Sequence, residues 1–138
     1  MSFEFPFEYA DVEGLGTLFY PMVRMDLQTI SGWKPFEFLV DTGADMTTVP
    51  LSLLSVLGVM TNNLTQTKTF GVGGIAVKTW SFTLPIRLGP STWRIQANAV
   101  ETTENGMPFL LGRKDVFESR YSLLLDSQRK VTIITLNI

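Results

Sequence analysis

The sequence contains no histidine and no cysteine among its 138 residues. A Ser-His-Asp or Cys-His nucleophile is therefore excluded, because both need an imidazole to accept the proton. The usual nitrogen and sulfur ligands of zinc are also missing, and we expect neither a metal nor a cofactor. Disulfide bonds are impossible. If the chain is an enzyme, its proton transfers must depend on carboxylates, lysines, tyrosines or bound water.

Charged residues are scarce as well, at 17% of the sequence against ~25% in an average soluble domain. The net charge of −2 gives no basic surface for nucleic acid or an anionic membrane. No apolar run approaches the ~20 residues that cross a bilayer, and the N-terminal residues do not resemble a signal peptide. We therefore expect a cytoplasmic protein that binds neither nucleic acid nor membrane. The length predicts one domain over residues 1–138.

Short runs of β-forming residues in the first half of the chain predict strands. We expect one strand over Leu18–Leu27, an interruption at Gly32–Pro35, and a second strand over Phe36–Val40. The segment Pro50–Leu57 is the best helix candidate, since its leucines have helical spacing and Gly58 stands where a helix would end.

Alternating apolar residues in the second half predict a hairpin between residues 82–88 and 93–99. The other expected elements are a turn at Asn105–Gly106, a short helix over Arg113–Phe117, and a closing hairpin of Tyr121–Leu125 and Val131–Leu136. Together these patterns predict a mainly β protein.

The strongest local signal is Asp41-Thr42-Gly43 at the end of the apolar strand. The strand would carry the Asp41 carboxylate from a rigid, buried element into the cleft at its end. Gly43 permits close approach of a ligand or another chain, and the Thr42 hydroxyl can fix the turn by hydrogen bonding. Taken alone, the three residues favour an ordinary turn after a strand, since Asp, Thr and Gly are all common turn formers.

Three segments in order resemble the retropepsin-like, or retroviral-type, aspartic protease family. They are Asp41-Thr42-Gly43-Ala44-Asp45, Gly71-Val72-Gly73-Gly74-Ile75 and Leu110-Leu111-Gly112-Arg113. The first is similar to the catalytic loop, the second to the flap tip that closes over a peptide, and the third to the run before a short helix. The resemblance covers roughly Leu18 to Leu136. It implies an all-β fold, a closed β-barrel or acid-protease half-fold with one short C-terminal helix, preceded by an extension of open role at residues 1–16.

The resemblance also implies roles for the residues of the first motif. Asp41 would be the catalytic aspartate, Thr42 would bond across two subunits, and Gly43 would bond the substrate backbone. Ala44 would complete the active-site loop. Because alanine lacks the hydroxyl that many two-domain aspartic proteases carry there, we expect activity to extend to mildly acidic pH.

Two further sets of residues have implied roles. Asp45 and Arg113 would form a structural ion pair, although the sequence alone allows two unrelated solvated charges. The residues implied to contact substrate are Gly43, Asp45, Gly71, Val72, Gly73 and Gly74. A plain β-hairpin tip is the alternative interpretation of the glycine-rich segment. A phosphate-binding P-loop is disfavoured, because the segment lacks the lysine of that motif.

Peptide hydrolysis by carboxylates needs two of them around one water molecule. The sequence has one Asp-Thr-Gly, since Asp126-Ser127-Gln128 lacks the glycine and is typical of a hairpin turn. We therefore expect a homodimer in which two copies of Asp41 meet on a two-fold axis. The tail 130–138 is either part of a dimer sheet or an ordinary core strand. Phe3, Phe5 and Phe7 alternate along an edge segment that packs on its own domain or on a partner.

These expectations combine into one function, an aspartic endopeptidase that cleaves extended peptides or proteins between apolar pockets. Two alternatives stay open from the sequence. The first is a non-catalytic peptide-binding or dimerisation module on the same fold, and the second is a different small β-barrel that matches the motifs by accident. An intact Asp41-Thr42-Gly43 favours the enzyme, but a fold by itself does not establish activity.

Overall fold

The structure, a computed structural model, describes residues 1–70, 74, 76–102 and 107–138. The strands in this part of the chain are β1 Ser2–Pro6, β2 Glu8–Val12, β3 Gly16–Tyr20, β4 Met22–Thr29, β5 Gly32–Val40, β6 Thr47–Pro50, β7 Thr65–Phe70, β8 Ala76–Leu88, β9 Ser91–Val100, β10 Phe109–Leu111, β11 Tyr121–Asp126 and β12 Val131–Leu136. The helix α1 spans Leu53–Leu57, and a 3-10 helix covers Thr61–Asn63. No helix in the described ranges is long and apolar enough to cross a membrane.

Seven of these strands form one sheet in the order β4-β5-β10-β6-β9-β8-β7. β4 also pairs with β8, where Asp26 lies opposite Arg87. The sheet therefore closes into a barrel of six strands, with β7 added outside the closure. At the seam, the Arg87 guanidinium lies 2.7 Å from an Asp26 carboxylate oxygen and 4.9 Å from the centre of the Trp33 ring. The expected all-β fold with a closed barrel is confirmed.

The core of the barrel follows the alternation along its strands, because successive side chains of a strand point to opposite faces. The inward-facing residues include Val23, Met25 and Leu27 on β4, Leu84, Ile86 and Leu88 on β8, and Ile95, Ala97 and Ala99 on β9. Phe38, Val40 and Leu111 bring β5 and β10 into the same core. The backbone that leads to Asp41 and the backbone that leads to Gly112 are therefore anchored by buried neighbours.

Both predicted hairpins are confirmed. β8 and β9 are antiparallel, with Leu88 opposite Ser91 at the turn and Thr79 opposite Val100 at the far end. β11 pairs with β12 along its whole length. The helix begins at Leu53 and not at Pro50, because Pro50 still pairs with Val100 as the last residue of β6. It ends as expected at Gly58, which has a left-handed φ of 74° and donates its N–H to the last carbonyls of the helix.

Three expectations about local structure need correction. The strand expected over Leu18–Leu27 is divided at Pro21 into β3 and β4. The expected interruption at Gly32–Pro35 is wrong, since these residues belong to β5 and pair with β4. The actual turn is held by Thr29, whose hydroxyl donates to the Gly32 carbonyl at 2.7 Å. β5 has β10 beside it only at residues 38–40, so the missing N–H of Pro35 lies outside that second ladder.

The segment expected as a short helix, Arg113–Phe117, forms one helical turn with a non-helical interior. Asp115 has a left-handed φ of 62°, an uncommon conformation for a residue other than glycine. Two bonds to β9 hold it there: the Asp115 carboxylate accepts the Gln96 N–H at 2.8 Å, and its carbonyl accepts the Trp93 indole N–H at 3.3 Å. The turn expected at Asn105–Gly106 lies outside the described residues.

The chain termini form a separate sheet in the order β1-β12-β11. β12 therefore has both of its edges paired within the chain, and its Thr132 and Ile134 are buried. β12 is therefore the middle strand of this sheet, and the outer edges belong to β1 and β11. Phe3 and Phe5 of β1 pack against the core of their own chain, so the edge segment lies on its own protein.

Leu84 tests how far stability depends on the barrel core. We expect Leu84→Ala to lower the free energy of unfolding by about 2–5 kcal/mol, since it leaves a cavity among fully buried neighbours. Ile30→Ala, at an exposed apolar residue in the β4–β5 turn, should change it by less than about 0.5 kcal/mol. Urea unfolding of the two variants measures both values. Equal effects at the two positions would contradict this location of the core.

Candidate active site

Asp41 lies at the end of β5, between two neighbouring strands. On one side, β10 runs parallel to β5 and places Leu111 opposite Val40, and the Leu111 carbonyl accepts the Asp41 N–H at 3.0 Å. On the other side, the Pro21 carbonyl accepts the Val40 N–H at 3.0 Å. The backbone that carries the carboxylate is thus bonded from both sides. The apolar residues before Asp41 are there because β5 is buried at this end of the barrel.

The residues after Asp41 form a tight turn. The Asp41 carbonyl accepts the Ala44 N–H at 3.1 Å, and the Asp41 carboxylate accepts the Gly43 N–H at 3.0 Å. A side chain at Gly43 would place its Cβ 3.3 Å from that same carboxylate oxygen, closer than most Cβ contacts. The Asp41 side chain is half-buried, while Thr42 and Gly43 are exposed. The turn therefore orients the carboxylate and leaves its surroundings open to a ligand.

The turn after β10 is hydrogen-bonded to the loop that follows Asp41. The Arg113 guanidinium donates to the Thr42 carbonyl at 2.6 Å and forms an ion pair with the Asp45 carboxylate. Two backbone bonds accompany it, from the Arg113 N–H to the Ala44 carbonyl and from the Lys114 N–H to the Asp45 carbonyl. The Asp45 side chain is 89% exposed, so water screens the ion pair. The backbone bonds and the bond to Thr42 therefore do most to position the loop.

Gly112 allows these two segments to approach each other. A Cβ at Gly112 would lie 2.4 Å from the Met46 carbonyl carbon and 2.8 Å from the Thr47 nitrogen. The Gly112 N–H is buried and donates to the Thr47 hydroxyl at 3.1 Å. Sequence reasoning did not identify Thr47. Its place among other threonines carries no signal, and only the register between β6 and β10 shows that it faces Gly112.

The predicted flap is described only in part. β7 and β8 are the two antiparallel strands of a hairpin, with Thr65 opposite Ser81 and Phe70 opposite Ala76. Gly74 is exposed and has a left-handed φ of 77°, a conformation that favours glycine. Gly71, Val72, Gly73 and Ile75 lie outside the described residues. Within the residues that are described, no group of three or more acidic side chains could hold a metal ion.

A cavity of about 400 Å³ lies beside the start of β4, lined by Phe5, Pro6, Glu8, Met22, Arg24 and Glu37. Desolvation raises the pKa of Glu8 above its ordinary range, and a hydrogen bond and the charge of Glu37 raise it further. Arg24 opposes this shift and lies 3.2 Å from a Glu37 carboxylate oxygen. Met22 pairs with Leu39, so the cavity opens close to the strand that ends in Asp41. Sequence reasoning did not foresee this cluster.

Thr47 and Thr48 offer a matched test of the loop anchor. In Thr47→Val the buried Gly112 N–H loses its acceptor, and we expect the free energy of unfolding to fall by about 1–3 kcal/mol. Among the described residues, the half-buried Thr48 hydroxyl bonds the Met46 carbonyl alone, so Thr48→Val should cost less. Thermal unfolding of both variants measures the difference. An equal or larger loss in Thr48→Val would contradict the proposed anchor.

The raised pKa of Glu8 predicts a pH-dependent contribution to stability. Because the folded state holds this proton more tightly, the contribution is complete below the ordinary range of a glutamate, about 4.3, and is lost as pH rises through the raised pKa. In Glu8→Gln, an amide can donate to Glu37 at every pH. The variant should therefore gain stability relative to the wild type as pH rises, measured by thermal unfolding across this range. Glu13→Gln, outside the cavity, is the control and should follow the wild type.

Comparison with known proteins adds to this geometry. The model of the family described as "gag-polyprotein putative aspartyl protease" matches residues 28–115, which is well over half of the chain. No curated protein sequence matches. The match contains both segments that meet at the candidate site, the loop after β5 and the turn after β10.

Two solved structures share the fold. A retropepsin-like aspartic protease from Rickettsia conorii is 18% identical, with a TM-score of 0.59 over 92% of this chain and 97% of that one. The EIAV protease complexed with the inhibitor HBY-793 is 23% identical, with a TM-score of 0.53 over 68% of this chain and 82% of that one. At these identities the likeness concerns the fold, whereas the family-model match concerns the sequence. The chain belongs to the gag-polyprotein aspartyl protease family and has the retropepsin-like fold.

Proposed function

We propose that the protein is an aspartic endopeptidase whose active site contains Asp41 from each of two identical chains. The observation that carries this proposal is the bonding around the catalytic loop. The Asp41 backbone is bonded to β10, and the Arg113 guanidinium donates to the Thr42 carbonyl. A carboxylate on a rigid backbone at the open end of a barrel suits a reaction that needs exact placement of a water molecule.

The reaction needs one ionised and one protonated carboxyl group. The ionised group takes a proton from the bound water, whose oxygen attacks the carbonyl carbon of the peptide bond. The protonated group donates a hydrogen bond to the carbonyl oxygen and stabilises the negative charge that develops there. Collapse of the tetrahedral intermediate breaks the C–N bond, and the leaving amine receives the proton that the first carboxylate took from the water. Two carboxylates ~3 Å apart cannot both ionise, which keeps the two roles distinct.

A second Asp41 is the carboxylate that fits this scheme. The second candidate aspartate, Asp126, lies at the β11–β12 turn. Its carboxylate accepts the N–H groups of Gln128 and Arg129 at 3.1 and 3.0 Å. Those bonds assign it to turn formation. A two-fold axis beside Asp41 would bring the two catalytic loops together, with Thr42 bonding across the axis. Residues 1–138 would then act as one protease domain that supplies half of each site.

The substrate is proposed to bind as an extended peptide between the loop and the flap. The Gly43 carbonyl and the flap residues Gly71, Val72, Gly73 and Gly74 would bond its backbone. Asp45 would lie near one end of the peptide, where its high exposure leaves room for contact. An EIAV protease of the same fold binds an inhibitor, so this fold can hold a ligand. Backbone bonds would give affinity, and apolar pockets would favour hydrophobic residues beside the cut.

Asp41→Asn tests the proposed mechanism directly. An amide cannot take the proton from the water, so we expect cleavage of a peptide library to fall by at least about 10³-fold while the chain stays folded. Asp126→Asn is the matched control, since the same chemical change lies in a turn on another sheet. It should cleave at the wild-type rate. Mass spectrometry of the digests identifies products and cleavage positions.

The outcomes separate the candidate functions. Equal cleavage by wild type and Asp41→Asn would remove Asp41 from the mechanism. A wild-type chain that cleaves as a monomer in sedimentation would contradict the shared pair of aspartates. A folded dimer that cleaves no member of the library would favour a non-catalytic peptide-binding module.

A further inference from the structure

The hairpin of β2 and β3 stands apart from the rest of the described structure. Its strands pair with each other, with Glu8 opposite Tyr20 and Val12 opposite Gly16. No other described strand joins them. It carries several large exposed apolar side chains: Tyr9 at 53%, Leu15 at 69%, Leu18 at 36% and Phe19 at 45%. We call this hairpin, residues 8–20, the arm.

Apolar groups lie on both faces of the arm. Tyr9 pairs with Phe19 on one face, and Leu18 pairs with Ala10 on the other. Contacts with the rest of the chain lie near its root, where Phe19 stacks on the buried Phe7 at 4.3 Å between ring centres and Glu8 hydrogen-bonds Glu37. An isolated two-stranded hairpin is only marginally stable in water. Several large apolar side chains exposed on one short hairpin are typical of a contact with another molecule.

The C-terminal end of the arm lies beside the strand that leads to Asp41. Its last residue, Tyr20, is followed by Pro21, whose carbonyl accepts the N–H of Val40, the residue before Asp41. β4 starts at Met22 opposite Leu39, so the start of β4 and the end of β5 lie at the same end of the barrel. The arm and Asp41 therefore extend from one end of the molecule.

This placement identifies the occupant as a second copy of the chain. The proposed function requires two Asp41 carboxylates ~3 Å apart, which brings the same end of a second barrel against this one. The arm of each chain would then lie beside the other chain.

We propose that the arm is a dimerisation element, which packs its exposed apolar residues against the partner protomer. The inference rests on the proposed dimeric active site and names the surface that holds it together. In a two-fold dimer each contact occurs twice, so one substitution removes two contacts. The proposal separates the barrel, which positions Asp41, from the arm, which sets how tightly two copies of Asp41 are held together.

The test combines dimer affinity with activity. In the double variant Leu15→Ser/Leu18→Ser, both replaced side chains are exposed, so the fold of the protomer should be kept. We expect the dimer dissociation constant, from sedimentation equilibrium, to rise about tenfold or more. Activity per protomer should fall at low protein concentration and return to the wild-type value above the new dissociation constant. Ile30→Ser, at an exposed apolar residue far along β4 from Asp41, is the control and should change neither.

A second variant, Leu15→Lys, keeps the test decisive if the double variant unfolds, and thermal unfolding shows whether it does. A dissociation constant unchanged in Leu15→Lys or in the folded double variant would overturn the role of the arm. Loss of activity that high protein concentration does not restore would overturn it as well. A wild-type chain that cleaves as a monomer would overturn both the arm and the shared active site. If the wild type is a dimer without peptidase activity, only the proposed function fails, and the dissociation constants still decide the role of the arm.

Discussion

The rest of the site depends on one contact, the close approach of two backbone segments. These segments are the loop after β5 and the turn after β10. Gly112 lies so close to Met46 that no side chain fits between them. This contact aligns the backbone bonds of Arg113 and Lys114 with the carbonyls of Ala44 and Asp45. It therefore fixes the shape of the loop that begins at Asp41. The exposed ion pair of Asp45 and Arg113 adds orientation to an arrangement that backbone packing has already set.

The same contact explains how Asp41 is held at the end of a strand. A parallel neighbour, β10, reaches the end of the barrel beside β5 and supplies the carbonyl that bonds the Asp41 N–H. Within the barrel, both strands are held by buried side chains such as Phe38 and Leu111. Beyond it, the loop is half-exposed. Asp41 therefore combines a rigidly supported backbone with a side chain that is partly open to solvent, as the proposed hydrolysis requires.

Local sequence patterns predicted much of the fold, because they report physical constraints within a few residues. Alternation predicted the β8–β9 and β11–β12 hairpins, and Gly58 predicted the end of α1. Contacts between residues far apart in the sequence could not be predicted from local patterns. The sequence does not show that Thr47 accepts the Gly112 N–H, 65 residues away. Nor does it show that Asp115 can keep a left-handed backbone because β9 bonds it. Asp41 was predictable as a candidate since its motif is continuous, whereas its supports come from separate strands.

The extent of the comparisons matches a physical division within the chain. The family model covers residues 28–115, which include most of the barrel and the two segments that meet at Asp41. The arm and the terminal strands β11 and β12 lie outside it. The EIAV protease matches 68% of this chain, and the Rickettsia conorii protein matches 92%. The barrel must keep one geometry, because the carboxylate depends on it. The proposed contact of the arm with a partner sets a looser requirement, because it needs apolar surface and not one exact placement of a carboxylate.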